Sequence, residues 1–230
     1  MTGQQLREAR TKKGWNQLQA ARQLGVSQTY LSLLEAGRRR APEKLTIKAV
    51  RVYGLSEAHL PVSLAFAETS VVDERALALQ LAALGYPGLS HLKSRGQKRN
   101  PAELLLSALG KDNLDSRLIE ALPWVVMKFP DLNWHWLTQA VKVNDLQNRL
   151  GYVTSVARRL AELHGESEKA VLLAGPESVL ERSRLVREGT LCHDSLTEVE
   201  KRWLRRNRPP GARHWRLLTD LTPEHLDHAA

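Results

Sequence analysis

Apolar residues recur three and four positions apart along almost the whole chain, and no stretch alternates with period two through β-branched residues. The first spacing lays a stripe along one face of a helix, whereas a half-buried strand requires the second. The chain therefore reads as all-α. The spacing predicts helices at about 3–13, 17–24, 28–36, 42–53, 72–84, 102–109, 115–128, 133–143, 146–164, 177–187 and 196–206. Asn16, with Gln19 three residues on, and Ser27 supply side chains that accept from the open N–H groups of a first helical turn, and Pro42 fits a first turn because it has no N–H to leave unpaired. No unit repeats with a period of 20 to 50 residues, which argues against a solenoid.

At 230 residues the chain has room for two domains. The pattern divides it into an N-terminal helix-turn-helix domain over 1–66 and a larger helical domain over 67–230, expected to serve dimerisation or partner binding. Residues 86–100, with Pro87, two glycines and the basic run from Lys93 to Arg99, are the weakest-patterned part before the C-terminal helices and read as a linker or loop.

Within the first domain, the segment from Gln17 to Gly37 places two short helices around a tight turn. Leu18, Ala21, Leu24 and Val26, with Leu31 and Leu34, are expected on the faces that meet, and Gly25 can take the positive φ the turn needs. Such a pair holds one helix rigidly, here the one beginning at Ser27, so that its N-terminal residues face base edges in a major groove. Charge supports a polyanionic partner. The formal net charge is +9 and the sequence pI is near 9.9, and residues 1–60 carry eleven Lys and Arg against four Asp and Glu, a surplus of seven.

Residues 3–55 resemble the Xre/Cro and phage-repressor family of helix-turn-helix regulators, through Leu6, Arg7, Arg10 and Gly14, then Gln17, Ala21, Leu24-Gly25-Val26-Ser27, Leu31-Ser32, Leu34-Glu35, Gly37, Pro42 and Tyr53-Gly54-Leu55. The resemblance implies double-stranded DNA as partner, base readout by Gln28, Thr29, Ser32 and Leu33, and phosphate contacts by Gln17 and Tyr30. Leu33 departs from the polar residue often found at its position. A Gln amide can pair with adenine N6 and N7, and Thr or Leu methyl groups can pack on a thymine methyl. Arg38, Arg39 and Arg40 after the recognition helix, with Arg10, Lys12 and Lys13, are expected at phosphates, where they give affinity and register without sequence readout. A single unit of this kind binds weakly, so a homodimer reading two half-sites is expected.

The second domain is best patterned over 115–164, where stripes through Leu118, Leu122, Leu137, Leu150, Val153 and Leu160 predict three packed helices, with Trp124, Trp134 and Trp136 in the packing. The polar run Asn144, Asp145, Gln147, Asn148, Arg149 is expected to cap the long helix or to face a partner. The stretch from Ala121 to Trp124, the run Phe129 to Leu137 and the segment Asp145 to Val153 are similar to the C-terminal regions of Xre-type regulators encoded beside nucleotidyltransferase-like toxins of the AbiEii type. That resemblance implies an antitoxin and autorepressor with a cognate toxin as partner. An effector-sensing or stand-alone repressor stays open beside it.

Arg159 and His164 have the R-x4-H spacing of HEPN-type ribonucleases, but Leu160 follows the arginine where a polar residue is usual, and a non-enzymatic protein is the expectation. Phosphate-loop, dinucleotide, zinc-protease and serine-hydrolase motifs are missing, so no cofactor and no metal are expected. Cys192-His193-Asp194 reads as a loop thiol, because three adjacent residues do not build a tetrahedral site. The basic segment from Lys201 to Arg216, with Trp203 and Trp215 interleaved, leaves three readings: a phosphate contact, a dock for an acidic partner, or a solvated face. Apolar stretches fall well short of the ~20 residues of a membrane span, and a cytoplasmic, nucleoid-associated protein is expected.

Overall fold

The computed structural model describes residues 1–62, 73–92 and 98–226. The expected boundary at 66/67, the expected helix start at 72 and most of the basic run from Lys93 lie outside them. The chain divides into two compact units, 1–62 and 63–230.

The first unit holds α1 (Gly3–Lys12), α2 (Gln17–Leu24), α3 (Gln28–Glu35) and α4 (Glu43–Tyr53). Thr2 and Asn16 each close a reciprocal cap with a glutamine three residues on, Gln5 and Gln19. Ser27 accepts from the Tyr30 N–H at the start of α3, and Pro42 precedes α4 as its extended N-cap. Leu6, Ala9, Ala20, Ala21, Leu24, Leu31, Leu34, Ala49 and Tyr53 form the core. Leu18 was expected there. It is 46% exposed, and Ala20 takes the inner place because α2 packs on α3 and α4 through small residues that allow close approach. Gly3 is the tightest junction: a β-carbon on it would stand 2.2 Å from the Leu34 carbonyl oxygen.

The second unit is built around α9 (Gln147–Leu163), with α5 (Glu74–Leu84), α6 (Pro101–Leu109), α7 (Ser116–Lys128), α8 (Trp134–Val143) and α10 (Ser167–Glu181) packed about it and one another. Along α9, Leu150, Gly151, Tyr152, Val153, Thr154, Val156, Ala157, Leu160 and Ala161 are all buried. So wide an apolar surface demands cover on several sides. The stripes over 115–164 meet as expected. Trp124 and Trp136 are buried, and the Trp134 indole donates to the Pro130 carbonyl at 2.9 Å.

Three features depart from the expected pattern. The helix expected at about 177–187 is α10, beginning ten residues earlier and running through Gly175 and Pro176. Those two residues read as a break, yet burial of Ala170, Leu173 and Leu180 carries the helix through them. A short helix α12 (Pro210–His214) follows α11 (Glu198–Asn207), its proline in the first turn where no N–H is needed. Finally, β1 (Gly189–Thr190) pairs in parallel with β2 (Leu217–Leu218). This is a two-residue ladder in an all-α protein.

The polar run at the start of α9 turns inward. Asn148 donates to the Leu185 carbonyl at 3.0 Å and accepts from the Leu185 N–H at 2.8 Å, as a neighbouring strand would. The Arg149 guanidinium donates to the carbonyls of Thr190 (2.9 Å), Leu109 (2.8 Å) and Lys111 (2.8 Å) and pairs with Asp194 at 3.1 Å. One side chain thus ties the end of α6 and the 190–194 loop to α9.

Candidate nucleic-acid interface

The surface of α3 is divided by its packing. Leu31, Leu34 and Glu35 are buried, while Gln28, Thr29 and Ser32 are exposed and Tyr30 and Leu33 are half-buried. Gly25, at φ 71° and ψ 37°, ends α2 in the left-handed conformation that only glycine adopts without steric cost, and Ser27 starts α3 two residues later. Two short helices are thus joined tightly, the second with polar side chains exposed on its N-terminal half. Residues 3–61 match the family model of a helix-turn-helix domain. The match covers about a quarter of the chain. No curated protein and no solved structure matches it.

The helix-turn-helix domain is locked by a carboxylate that sequence reading passed over as part of a motif. Glu35 lies at the end of α3 with its side chain only 3% exposed. It accepts from Arg10 Nε on α1 at 2.7 Å, from Arg10 Nη2 at 3.1 Å and from Gln17 Nε2 at the start of α2 at 3.0 Å. Arg10 Nη1 donates to the Trp15 carbonyl at 2.8 Å. A bidentate arginine–carboxylate pair is both strong and directional, so this network fixes the angles among three helices. Hydrogen bonding to Glu35 raises the Arg10 pKa above its ordinary value, against the opposing effect of burial.

Arg10 was expected at a phosphate, and it is held inward instead. Its fork is filled by Glu35 and Trp15, so its charge serves the core. Gln17, also expected at a phosphate, buttresses α3 through Glu35. The remaining arginines stand free. Gly37, at φ 70°, turns the chain out of α3, the Arg38 and Arg39 N–H groups donate to the Leu33 carbonyl at 3.0 and 3.3 Å, and Arg38, Arg39 and Arg40 are exposed. Among the described residues none of the three makes an ion pair. Arg39 lies over the Tyr30 ring, 5.9 Å from its centroid, which brings two expected phosphate contacts together. Arg7 is exposed one turn before Arg10 and lines a cavity of about 240 Å³ with Gln17 and Ser32. The three-residue spacing of Arg7 and Arg10 on α1 was the signal that could have pointed to it.

The other candidates lie in the second unit. Arg159 and His164 are both exposed, His164 as the C-cap of α9. Cys192 is fully buried, with φ 55°, and among the described residues no group of His, Cys, Asp or Glu could hold a metal ion. The basic segment is less free than its composition suggests. Arg205 and Arg208 share Glu188, at 2.8 and 3.0 Å, and Arg208 also donates to the Leu217 carbonyl at 3.0 Å. Trp215 is buried and Trp203 is 55% exposed, so the two tryptophans do not form one aromatic surface. Among the described residues no helix is long and apolar enough to cross a membrane.

Proposed function

We propose that the chain is a sequence-specific repressor of transcription that reads double-stranded DNA with α3, in the manner of Xre/Cro regulators. The helix-turn-helix domain supports a DNA-binding regulator. The observation that carries the finer reading is the division of α3: a buried half fixed by Leu31, Leu34 and the Glu35 network, and a free half bearing Gln28, Thr29 and Ser32. Those side chains have the donors, acceptors and methyl groups that distinguish base pairs in a major groove, and Arg38, Arg39, Arg40 and Tyr30, all outside the core, would supply the phosphate contacts beside them. The reading is non-enzymatic. Selection of binding sites from a random duplex library tests it, with the full chain and with a Gln28→Ala, Thr29→Ala double variant. An unchanged preferred sequence in the variant would remove α3 as the reading helix.

For the second unit we propose partner binding, as antitoxin and autorepressor beside a nucleotidyltransferase-like toxin. The similarity of 115–164 to such regulators supports it. Capture of partners from the native host with the full chain as bait tests it, since one stoichiometric toxin-like protein is expected and recovery of the bait alone would set the reading aside. An effector-responsive repressor is favoured by a different observation. A cavity of about 670 Å³ between α7, α11 and β2 is lined by Ile119, Leu196, Val199, Trp203, Leu204 and Leu218, with Glu120 and Asp220 beside them. Its volume falls in the range of small-molecule sites, roughly 300–1,000 Å³.

A further inference from the structure

The helix α10 has two apolar faces. Ala170, Leu173 and Leu180 are buried, and Glu177 accepts from Arg158 of α9 at 2.6 Å, which fixes the inner face against the unit. On the outer face Val171, Leu172 and Val179 are 74, 58 and 44% exposed. Gly175 lies between them, where an added β-carbon would meet nothing within 4 Å. A solvated helix face normally carries polar residues at these positions. Residues 168, 171, 172, 175, 178, 179 and 182 all project within about 60° of the Gly175 direction on a helix of 3.6 residues per turn.

Two of the three pairs of positions flanking Gly175 on this face match about it, the third pairing Leu172 with Ser178. Val171 and Val179 stand four residues to either side, and Glu168 and Arg182 stand seven to either side. Glu168 lies in the first turn, and Arg182 is the C-cap residue, still in right-handed helical geometry at φ −63° and ψ −19°. Both are exposed, and neither makes an ion pair among the described residues.

We propose that α10 is the contact through which two copies of this chain pair, antiparallel, crossing on a two-fold axis at Gly175. In such a pair a residue n positions before Gly175 faces the residue n positions after it in the second copy. Val171 then packs on the second copy's Val179, and Glu168 meets the second copy's Arg182, each twice. Gly175, lacking a side chain, lets the helices approach at the crossing. A parallel pair would set Glu168 against Glu168. The helix dipole alone accounts for an acid at the start and a base at the end of α10, but not for the exposed aliphatic residues between them. A single helix pair buries less than the roughly 1,200–2,000 Å² of a stable stand-alone interface. Association is therefore weak in free solution and is strengthened when two helix-turn-helix domains occupy half-sites on one duplex.

The purpose of this pairing rests on the DNA-reading proposal, but its test contains no DNA. Sedimentation velocity of the full chain over roughly 1 to 200 µM brackets the micromolar dissociation constant expected of a contact this small. A monomer–dimer equilibrium is expected. Glu168→Arg alone and Arg182→Glu alone each weaken it at least tenfold, and the two together on one chain restore it to within about threefold, because the reversed charges again face their opposites. These exposed positions leave the fold intact, which circular dichroism checks. A chain that stays monomeric throughout, or a dimer indifferent to both single reversals, overturns the proposal. Either result leaves the site-selection experiment on α3 standing.

Discussion

The Trp215 indole lies against Gly151 of α9, so closely that a β-carbon on the glycine would stand 2.1 Å from Trp215 Cζ3. Gly151 has ordinary helical geometry, and by propensity alone alanine there would stabilise the helix by about 1 kcal/mol. The steric effect reverses the sign. Trp215 is 1% exposed and has no room to retreat, and overpacking of this kind costs about 1–3 kcal/mol. Gly151→Ala is expected to lower the denaturant midpoint of the second unit, and an unchanged or raised midpoint would contradict the contact.

Glu35 touches no base or phosphate in the proposed complex, yet its removal should weaken DNA binding. Glu35→Ala leaves the Arg10 guanidinium without its partner and frees Gln17, at a cost of about 2–4 kcal/mol to the helix-turn-helix domain. Thermal unfolding and DNA affinity are expected to fall together. Glu35→Gln, which keeps an acceptor for Arg10, should fall less in both.

Base readout and phosphate contact separate by their dependence on sequence and salt. Gln28→Ala is expected to cost ~1–3 kcal/mol at one base position and little elsewhere, while Arg39→Ala weakens all sequences alike and reduces the salt slope by about 1. Anisotropy titrations against an operator and its single-base variants, at several salt concentrations, measure both.

Burial pushes the Cys192 thiol from an ordinary 9.0 up to about 11, opposed by the nearby Arg149. The folded state favours the protonated form. Its contribution to stability is therefore complete below about pH 9 and is lost as pH rises toward 11. Burial raises the Tyr53 phenol in the same direction, from 10.0 to about 12, and its contribution fades over that higher window. Melting temperature should decline from pH 9 upward, with a shallower decline in Cys192→Ala. A thiol reagent at pH 8 should label the chain only after denaturation.

What the sequence made legible was local. The turn at Gly25, the caps at Asn16 and Ser27 and the alternation of Leu31 and Leu34 with Gln28, Thr29 and Ser32 all depend on neighbours within four residues. Arg10 could not be read that way, because its partner Glu35 is 25 residues on and an isolated arginine looks like a surface charge. Arg149 and Asn148 misled for the same reason. Their partners lie 37 to 45 residues away, so their inward orientation leaves no trace in the run around them. Gly175 and Pro176 misled in the opposite sense, since local breakers were overridden by burial against α9.

The cover of α9 arrives late in the chain. Trp215 fills the space at Gly151, and the Tyr152 hydroxyl donates to the carbonyl of Leu221, sixty-nine residues further on. During synthesis from the N-terminus, residues 1–62 have their own core long before this and can fold while the rest is still being made. A ribosome stalled, or a message cut, between the end of α9 and Trp215 would release a finished helix-turn-helix head joined to an incompletely covered α9. Such a fragment would expose apolar surface and invite proteolysis of its second unit, leaving the head as the surviving piece.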